Sequence, residues 1–186
     1  NQGNPGLAEE FLLKLEKTLR SGSRTHAGHY YYLSACHDLY TGKVSQAVLS
    51  AKKSLELVQE TGVPVSEVLA RLVLSHALHE AGNEEEASRE LAAAKRAVAQ
   101  TGGFYFEYLH GLTEAYFEDG RGDENAALES LQKAMTLGRQ KGFTTHLYFW
   151  RPAVMSRLCG KALEAGIEID YAQNIIRKLN LVPDEQ

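Results

Sequence analysis

The sequence has few of the residues that fix a fold through covalent cross-links, and it lacks membrane and export signals. Only two cysteines occur in 186 residues, so a disulfide framework is excluded. No run of 18 apolar residues is present, so we expect no membrane-spanning helix. The residues after Asn1 do not resemble a signal peptide, and we therefore expect a cytoplasmic protein. Because the chain opens with Asn1 and not methionine, we expect it to be a piece of a longer protein.

An excess of positive charge is also missing. The 20 Lys and Arg residues stand against 24 Asp and Glu residues, a net charge of −4, so direct contact with nucleic acid is not expected. The sequence contains no Gly-x-x-x-x-Gly-Lys-Ser/Thr phosphate loop, no His-Glu-x-x-His and no Cys-x-x-Cys. We therefore predict no cofactor, no metal site and no enzymatic activity.

What the chain does have is a regular spacing of glycine. Seven of its 16 glycines lie on a grid of 20 residues, at positions 22, 42, 62, 82, 102, 122 and 142. Glycine after a helical segment supplies the left-handed residue that ends the helix. A fixed period between 20 and 50 residues is typical of a solenoid built from repeats. The grid therefore predicts an all-α fold with a 40-residue period, in which helix and glycine alternate.

Apolar residues between the glycines recur at helical spacing and support this interpretation. Pro64 is placed to begin a helix, Asn83 and Glu86 have the spacing of a capping box, and Asp123 can cap the helix after it. Pro152 should kink a long C-terminal segment or start a new helix. The predicted helices cover about 5–20, 24–41, 44–61, 64–81, 84–101, 104–119, 123–140, 144–165 and 168–179.

Small and large apolar residues follow a fixed order in the middle repeat, and the repeats on either side follow it in part. The residues that carry this order are Leu74, Leu78, Gly82, Ala87, Leu91 and Ala94. Ala47 and Ala127 take the place of Ala87 in the neighbouring repeats. This pattern resembles the tetratricopeptide repeat, although the usual Trp is Arg71 here and the period exceeds the usual 34. HEAT-type repeats remain the alternative.

The resemblance implies a right-handed α-solenoid of antiparallel helix pairs with C-terminal capping helices. We expect one domain over residues 1–186, with a leading helix in 1–22, three helix pairs in 23–142, and a kinked helix plus a capping helix in 143–186. Ala47, Ala87 and Ala127 should be buried where helices approach closely. Ile169, Ala172, Ile175, Ile176 and Leu179 should dock the last helix.

A second resemblance lies in the C-terminal third of the chain. It rests on Phe149-Trp150-Arg151-Pro152, on the segment from Ala162 to Glu168, and on Ile175-Ile176-Arg177-Lys178. This run is similar to the end of the repeat array in large bacterial transcription regulators of the MalT-like and SARP-like kind. Those proteins carry an ATPase domain and a DNA-binding domain besides their repeats. The resemblance implies that this chain is a sensor or relay segment of such a regulator.

The binding face follows from the tetratricopeptide resemblance, because the inner side of the first helices is the usual binding surface in that family. Aligning Gly42 with Gly82 pairs Cys36 with His76 on this side. The resemblance points to a groove that binds a protein, a peptide or a small effector. The predicted groove residues are His29, Tyr32, Cys36, His76 and His79.

Two functions stay open at this point. The first is the sensor or scaffold module of a transcription regulator, and the second is a stand-alone adaptor that mediates protein assembly. Either could form a homo-oligomer. The alternative to a binding role is that the histidines are simply groove-lining or interhelix polar residues. Cys36 and Cys159 are expected to be buried structural thiols. We expect Trp150 to anchor the kinked helix against the preceding pair.

Overall fold

The computed structural model describes residues 5–19, 23–144 and 151–181, and every regular element in this part of the chain is an α-helix. Neighbouring helices in the chain are joined by short turns. The helices are α1 (Pro5–Thr18), α2 (Arg24–Tyr40), α3 (Val44–Thr61), α4 (Pro64–Glu80), α5 (Glu84–Thr101), α6 (Phe104–Gly120), α7 (Glu124–Lys141), α8 (Pro152–Glu164) and α9 (Ile169–Leu179).

The predicted helix limits are confirmed to within two residues for α1 to α7 and for α9. Pro152 starts α8, which is one of the two outcomes that proline allows. Residues 145–150 of the predicted 144–165 segment, with Trp150 among them, lie outside the described residues. Gly22 also lies outside them.

Glycine ends these helices as predicted. Gly62 and Gly142 follow α3 and α7 with φ of 65° and 69°, in the left-handed region that a residue with a Cβ rarely adopts. Gly42, Gly82 and Gly122 have positive φ in the turns that join α2 to α3, α4 to α5 and α6 to α7. The glycine spacing in the sequence therefore sets where helices stop.

Two of the predicted N-terminal caps are present. The backbone N–H of Glu86 donates to Asn83 Oδ1 at 3.4 Å, and Asn83 Nδ2 donates to Glu86 Oε2 at 2.9 Å. Asp123 Oδ1 accepts from the backbone N–H of Ala126 at 3.2 Å. Each cap satisfies a first-turn N–H that the helix itself leaves without a partner.

The described chain divides into two compact units, the first ending at Thr101 and the second beginning at Gly102. In the first unit α2 packs on α3, α3 on α4 and α4 on α5, while α1 lies against α2. The first helices of the two pairs, α2 and α4, also touch. Ala47 on α3 and Ala87 on α5 are fully buried, as predicted.

In the second unit α6 packs on α7, α8 contacts both of these helices, and α9 contacts α7 and α8. Ala127 is fully buried, as predicted. The Tyr171 hydroxyl of α9 reaches Tyr108 of α6 and donates to the backbone carbonyl of Phe143. The last helix is therefore tied to the pair by hydrogen bonds as well as by apolar contact.

The capping helix α9 packs on α8 and α7, but only its middle turn is covered. Ala172 and Ile175 are buried as predicted, together with Tyr171. The prediction was wrong for Ile169 and Leu179, which are exposed. They occupy the first and last positions of an 11-residue helix, beyond the turn that contacts its neighbours.

Candidate functional site

A cavity of about 560 Å³ lies in the first unit, where α2 and α4 begin and α3 ends. This volume falls within the range of about 300–1,000 Å³ that is typical of small-molecule sites. Four helical segments contribute to its lining, and α1 supplies one wall through Leu15 with Leu19 just beyond the helix. Val58 and Leu69 add apolar surface from α3 and α4.

The cavity lining includes a close contact between α2 and α3. Ser54 Oγ donates to the backbone carbonyl of Gly28 at 2.8 Å, and Ser54 is fully buried. A Cβ on Gly28 would stand 2.8 Å from Cγ1 of Val58, so a larger residue would force the Val58 side chain to shift. Small residues at both positions therefore fix the geometry of this part of the site.

Aromatic rings form another part of the lining. The rings of His29 and Tyr32, one turn apart on α2, stack with centroids 5.9 Å apart and planes inclined by 30°. Tyr30 also lines the cavity, and burial raises the pKa of its hydroxyl above the ordinary value. The rings offer flat apolar area beside groups that can form hydrogen bonds.

The polar side chains of the cavity carry hydroxyl and imidazole groups, which can both donate and accept hydrogen bonds. Thr25 and His26 lie in the first turn of α2, and Ser66 lies in the first turn of α4. A helix leaves its first N–H groups without intrahelical partners, and its dipole makes this end positive. The Ser23 side chain accepts from the N–H of His26 at 3.5 Å and so takes one of these donors. No Asp, Glu, Lys or Arg is among the described residues that line the cavity.

The five predicted groove residues do not share one accessible surface. His29 is exposed at the cavity, and Tyr32 lines it although only 4% of its surface is accessible. Cys36 and His76 are 3% and 2% exposed, and neither lines the cavity. His79 is largely buried, and its Nδ1 lies 2.7 Å from Oε1 of Glu84 at the start of α5. The structure therefore brings only His29 and Tyr32 together.

The placement of Cys36 and His76 corrects the expectation that both face an open groove. Helix α4 is covered by α2, α3 and α5, and an unbroken run from Leu72 to Leu78 is buried along it. A helix surrounded in this way has no face left for a partner at that point. Cys36 is buried on α2, which α3 and α4 both contact.

Sequence reasoning missed Thr25 and Ser66, which lack any pattern that marks them. His26 was visible only as the i,i+3 neighbour of His29, a spacing that places both on one side of the helix. The cavity forms where α1, which packs on α2, stands beside the start of α4. That arrangement depends on packing between segments, which residue spacing does not encode.

Both thiols are confirmed as buried and free. Burial raises the pKa of the Cys159 thiol to about 12 and raises that of Cys36 as well, so neither is a ready nucleophile. Within residues 5–19, 23–144 and 151–181, His, Cys, Asp and Glu form no group of three that could hold a metal ion. No helix in those same ranges is long and apolar enough to cross a membrane.

The chain was compared with protein-family models, curated proteins and solved structures, and none of them matches it.

Proposed function

We propose that this chain is a non-enzymatic interaction module, the sensor or scaffold segment of a bacterial signal-transducing transcription regulator. In this proposal its helix pairs belong to a right-handed solenoid of the tetratricopeptide kind with a 40-residue repeat. The paired helices, the buried alanines of each pair and the glycine-ended turns support that architecture. The resemblance of the C-terminal third to MalT-like regulators supplies the regulatory context, in the cytoplasm.

The cavity at the start of α2 and α4 is the observation that carries the proposal. It holds His29 and Tyr32, two residues that the sequence predicts for binding, and it presents stacked rings beside hydrogen-bond donors. Binding a protein, peptide or effector here would favour one arrangement of α1, α2 and α4 and so alter a surface that attached domains read.

If the chain is the regulator segment that we propose, the test is calorimetric titration of the chain with the other domains of that regulator, produced separately. We expect His29→Ala to keep the helical content and melting temperature, because the side chain is exposed, and to weaken binding about tenfold. Gln46→Ala, an exposed change on α3 away from the cavity, is the matched control and should bind like the wild type. Undiminished binding by a folded His29→Ala variant would move the site away from the cavity.

A stand-alone adaptor is the second candidate, and α1 is the observation that favours it. Phe11 and Leu13 of α1 are 51% and 55% exposed, and Leu7 and Leu15 of the same helix are also exposed, so α1 presents several large apolar side chains to solvent. An adaptor would use this surface to hold a second protein or another copy of the chain. If the full gene product carries neither a phosphate loop nor a DNA-binding domain, the adaptor is the better proposal.

A further inference from the structure

The residues that line the cavity indicate which class of ligand could fill it. This inference rests on the binding function proposed above. The apolar wall of the cavity comes from Leu15, Leu19, Val58 and Leu69. A flat group could lie against the exposed ring of His29, which stacks on the buried ring of Tyr32. Most of the ligand surface must therefore be apolar, and part of it should be planar.

The polar groups at the starts of α2 and α4 indicate which chemical group the ligand should carry at its polar end. Hydroxyl and first-turn N–H groups of Thr25 and Ser66 supply donors, and the positive ends of α2 and α4 favour an electron-rich atom. A ligand carbonyl or ether oxygen would accept from these groups. A buried ammonium or guanidinium would meet no carboxylate among the described lining residues, and a fully ionised acid would meet no Lys or Arg.

An extended peptide fits this cavity less well than a small molecule does. A peptide carries one backbone donor and one acceptor at each residue, and both need partners when they are buried. The described lining has no Asn or Gln amide and no strand edge along which a peptide backbone could pair, so it offers single hydroxyl and imidazole contacts. Thr25 and Ser66, at the starts of two helices, match a molecule with one or two polar atoms at one end.

We infer that the cavity between α1 and the starts of α2 and α4 binds a small, uncharged, mainly apolar molecule with a planar ring system and a hydrogen-bond acceptor at one end. Its ring system lies against the His29 ring, which is backed by Tyr32, and its acceptor faces Thr25 and Ser66. Such a ligand also contacts Leu15, so it links α1 to the rest of the first unit.

A suitable probe is 6-propionyl-2-dimethylaminonaphthalene, which is uncharged, planar and ends in a ketone, and which shifts its emission to the blue in apolar surroundings. Titrating the whole chain with this probe should give saturable binding at one site per chain. Anilinonaphthalene sulfonate, an anion with a similar ring system, should bind at least tenfold more weakly. Unsaturable binding of the neutral probe, or equal affinity for both probes, would overturn the proposal.

Two variants fill the cavity from opposite sides. Ser66→Phe places a ring in it from α4 and Thr25→Phe places one from α2, and each should lower the probe affinity at least tenfold. Ser45→Phe introduces the same ring at an exposed first-turn position of α3 that does not line the cavity, and it should leave the affinity unchanged. Circular dichroism establishes that each variant is folded. If either folded cavity variant binds like Ser45→Phe, the ligand lies elsewhere.

This experiment can be separated from the test of the proposed function. Probe binding uses the chain alone, whereas the calorimetric titration uses its partner domains. Saturable, variant-sensitive probe binding without partner binding would uphold the ligand site and overturn the interaction module. Partner binding that His29→Ala weakens, without specific probe binding, would uphold the module and overturn the small-molecule ligand.

Discussion

At Gly138 of α7, the absence of a side chain allows two aromatic rings to pack closely against the helix. A Cβ at this position of α7 would stand 2.3 Å from the Tyr171 hydroxyl oxygen and 2.7 Å from Cε2 of Tyr108. Both are buried aromatic residues held by packing, and the Tyr171 hydroxyl is further fixed by its bond to the carbonyl of Phe143. The glycine is therefore what lets α9 dock on α7.

Alanine should have opposite effects at Gly138 and at Gly160. In a helix interior, alanine is favoured over glycine by about 1 kcal/mol. Gly160 lies inside α8 with nothing within 4 Å of a built Cβ, so Gly160→Ala should stabilise the protein by about 0.4–1 kcal/mol. Gly138→Ala should destabilise it by about 1–3 kcal/mol, because the new methyl group meets two rings. Urea denaturation followed by circular dichroism measures both changes.

The clash itself can be tested with a double variant. Tyr171→Phe removes the hydroxyl that lies nearest to the built Cβ, so Gly138→Ala should cost less in that background than in the wild type. Equal cost in both backgrounds would mean that the hydroxyl contact is not what excludes alanine.

Ala87, in the first unit, is a second position where a larger side chain should be poorly tolerated. It is fully buried on α5, and Ala87→Leu should lower the free energy of unfolding by about 1–3 kcal/mol through overpacking. Ala92 is exposed on the same helix, and Ala92→Leu should change stability by less than about 0.5 kcal/mol. Chemical denaturation of both variants decides it, and an unaltered midpoint for Ala87→Leu would show that this contact tolerates larger side chains.

At the scale of the element, three helices begin at positions 40 residues apart with different caps. Asn83 and Asp123 cap α5 and α7 through their side chains, whereas Lys43, the residue before α3, forms no such bond. The backbone is alike where the two can be compared, with φ and ψ of −83° and 60° at Lys43 and −84° and 79° at Asp123. What α3 lacks at its start is a side chain that can accept a hydrogen bond from a first-turn N–H.

Exchanging these caps should therefore shift stability in opposite directions. Lys43→Asn should raise the free energy of unfolding by about 0.5–1 kcal/mol, because asparagine can accept from a first-turn N–H of α3. Asp123→Ala should lower it by about 1 kcal/mol through loss of the bond to Ala126. Thermal melts of the two variants provide the measurement, and a loss of stability in Lys43→Asn would show that the lysine has a role other than capping.

Helix limits could be predicted from the sequence because they are local. A glycine with positive φ, a proline at the first helical position and a capping side chain each act within one turn, and Gly62, Pro64 and Asp123 are visible without the fold. The burial of small residues such as Ala47 could also be predicted, because apolar residues recur at helical spacing along the sequence.

The candidate site could be predicted only in part, because it depends on which helices cover one another. Spacing placed His29 and His76 on one side of their helices, but it could not show that α4 is enclosed around His76 while α2 is open at His29. Glu168 gives a second example. It has φ of 42°, which few non-glycine residues adopt, and its carboxylate accepts from Thr136 and pairs with Arg139 of α7. Those partners lie about 30 residues away in the chain and carry no local signal.

Across the whole molecule, buried groups that ionise at high pH make stability depend on alkaline conditions. Burial raises the pKa of Cys159 from its ordinary 9.0 to about 12 and that of Tyr105 from 10.0 to about 12, and it raises that of Cys36 in the same direction. A group whose folded pKa is raised contributes stability that is complete below its unfolded pKa. That contribution is lost as the pH rises toward the folded pKa.

We therefore expect stability to fall between pH 9 and pH 12, and Cys159→Ala to make the fall shallower. Each thiol can account for about 1.4 kcal/mol per pH unit once the pH exceeds its unfolded pKa. The variant also leaves a small cavity, so the comparison uses the slope of unfolding free energy against pH and not its value at pH 7. Identical slopes in variant and wild type would show that Cys159 ionises freely in the folded protein.

The same two thiols report how each unit opens, because Cys36 lies in the first unit and Cys159 in the second. An unfolded thiol with a pKa of about 8.5 is roughly one-quarter ionised at pH 8. A thiol with a pKa of about 12, as in folded Cys159, is ionised in about one molecule in ten thousand. Both should therefore resist a thiol reagent such as dithionitrobenzoate until the unit that holds them opens.

Two single-cysteine variants allow the labelling rate of each thiol to be measured separately. Cys159→Ala leaves only Cys36, and Cys36→Ala leaves only Cys159. In each variant the labelling rate at pH 8 should be at least a thousandfold below that of the urea-unfolded chain, because labelling requires opening of a packed core. As urea is added, the rate should rise along with the loss of helical circular dichroism. A remaining thiol that reacts in native buffer as fast as in urea would contradict its burial. A faster rate at Cys36 than at Cys159, at equal urea, would identify the first unit, which holds the cavity, as the one that opens more readily.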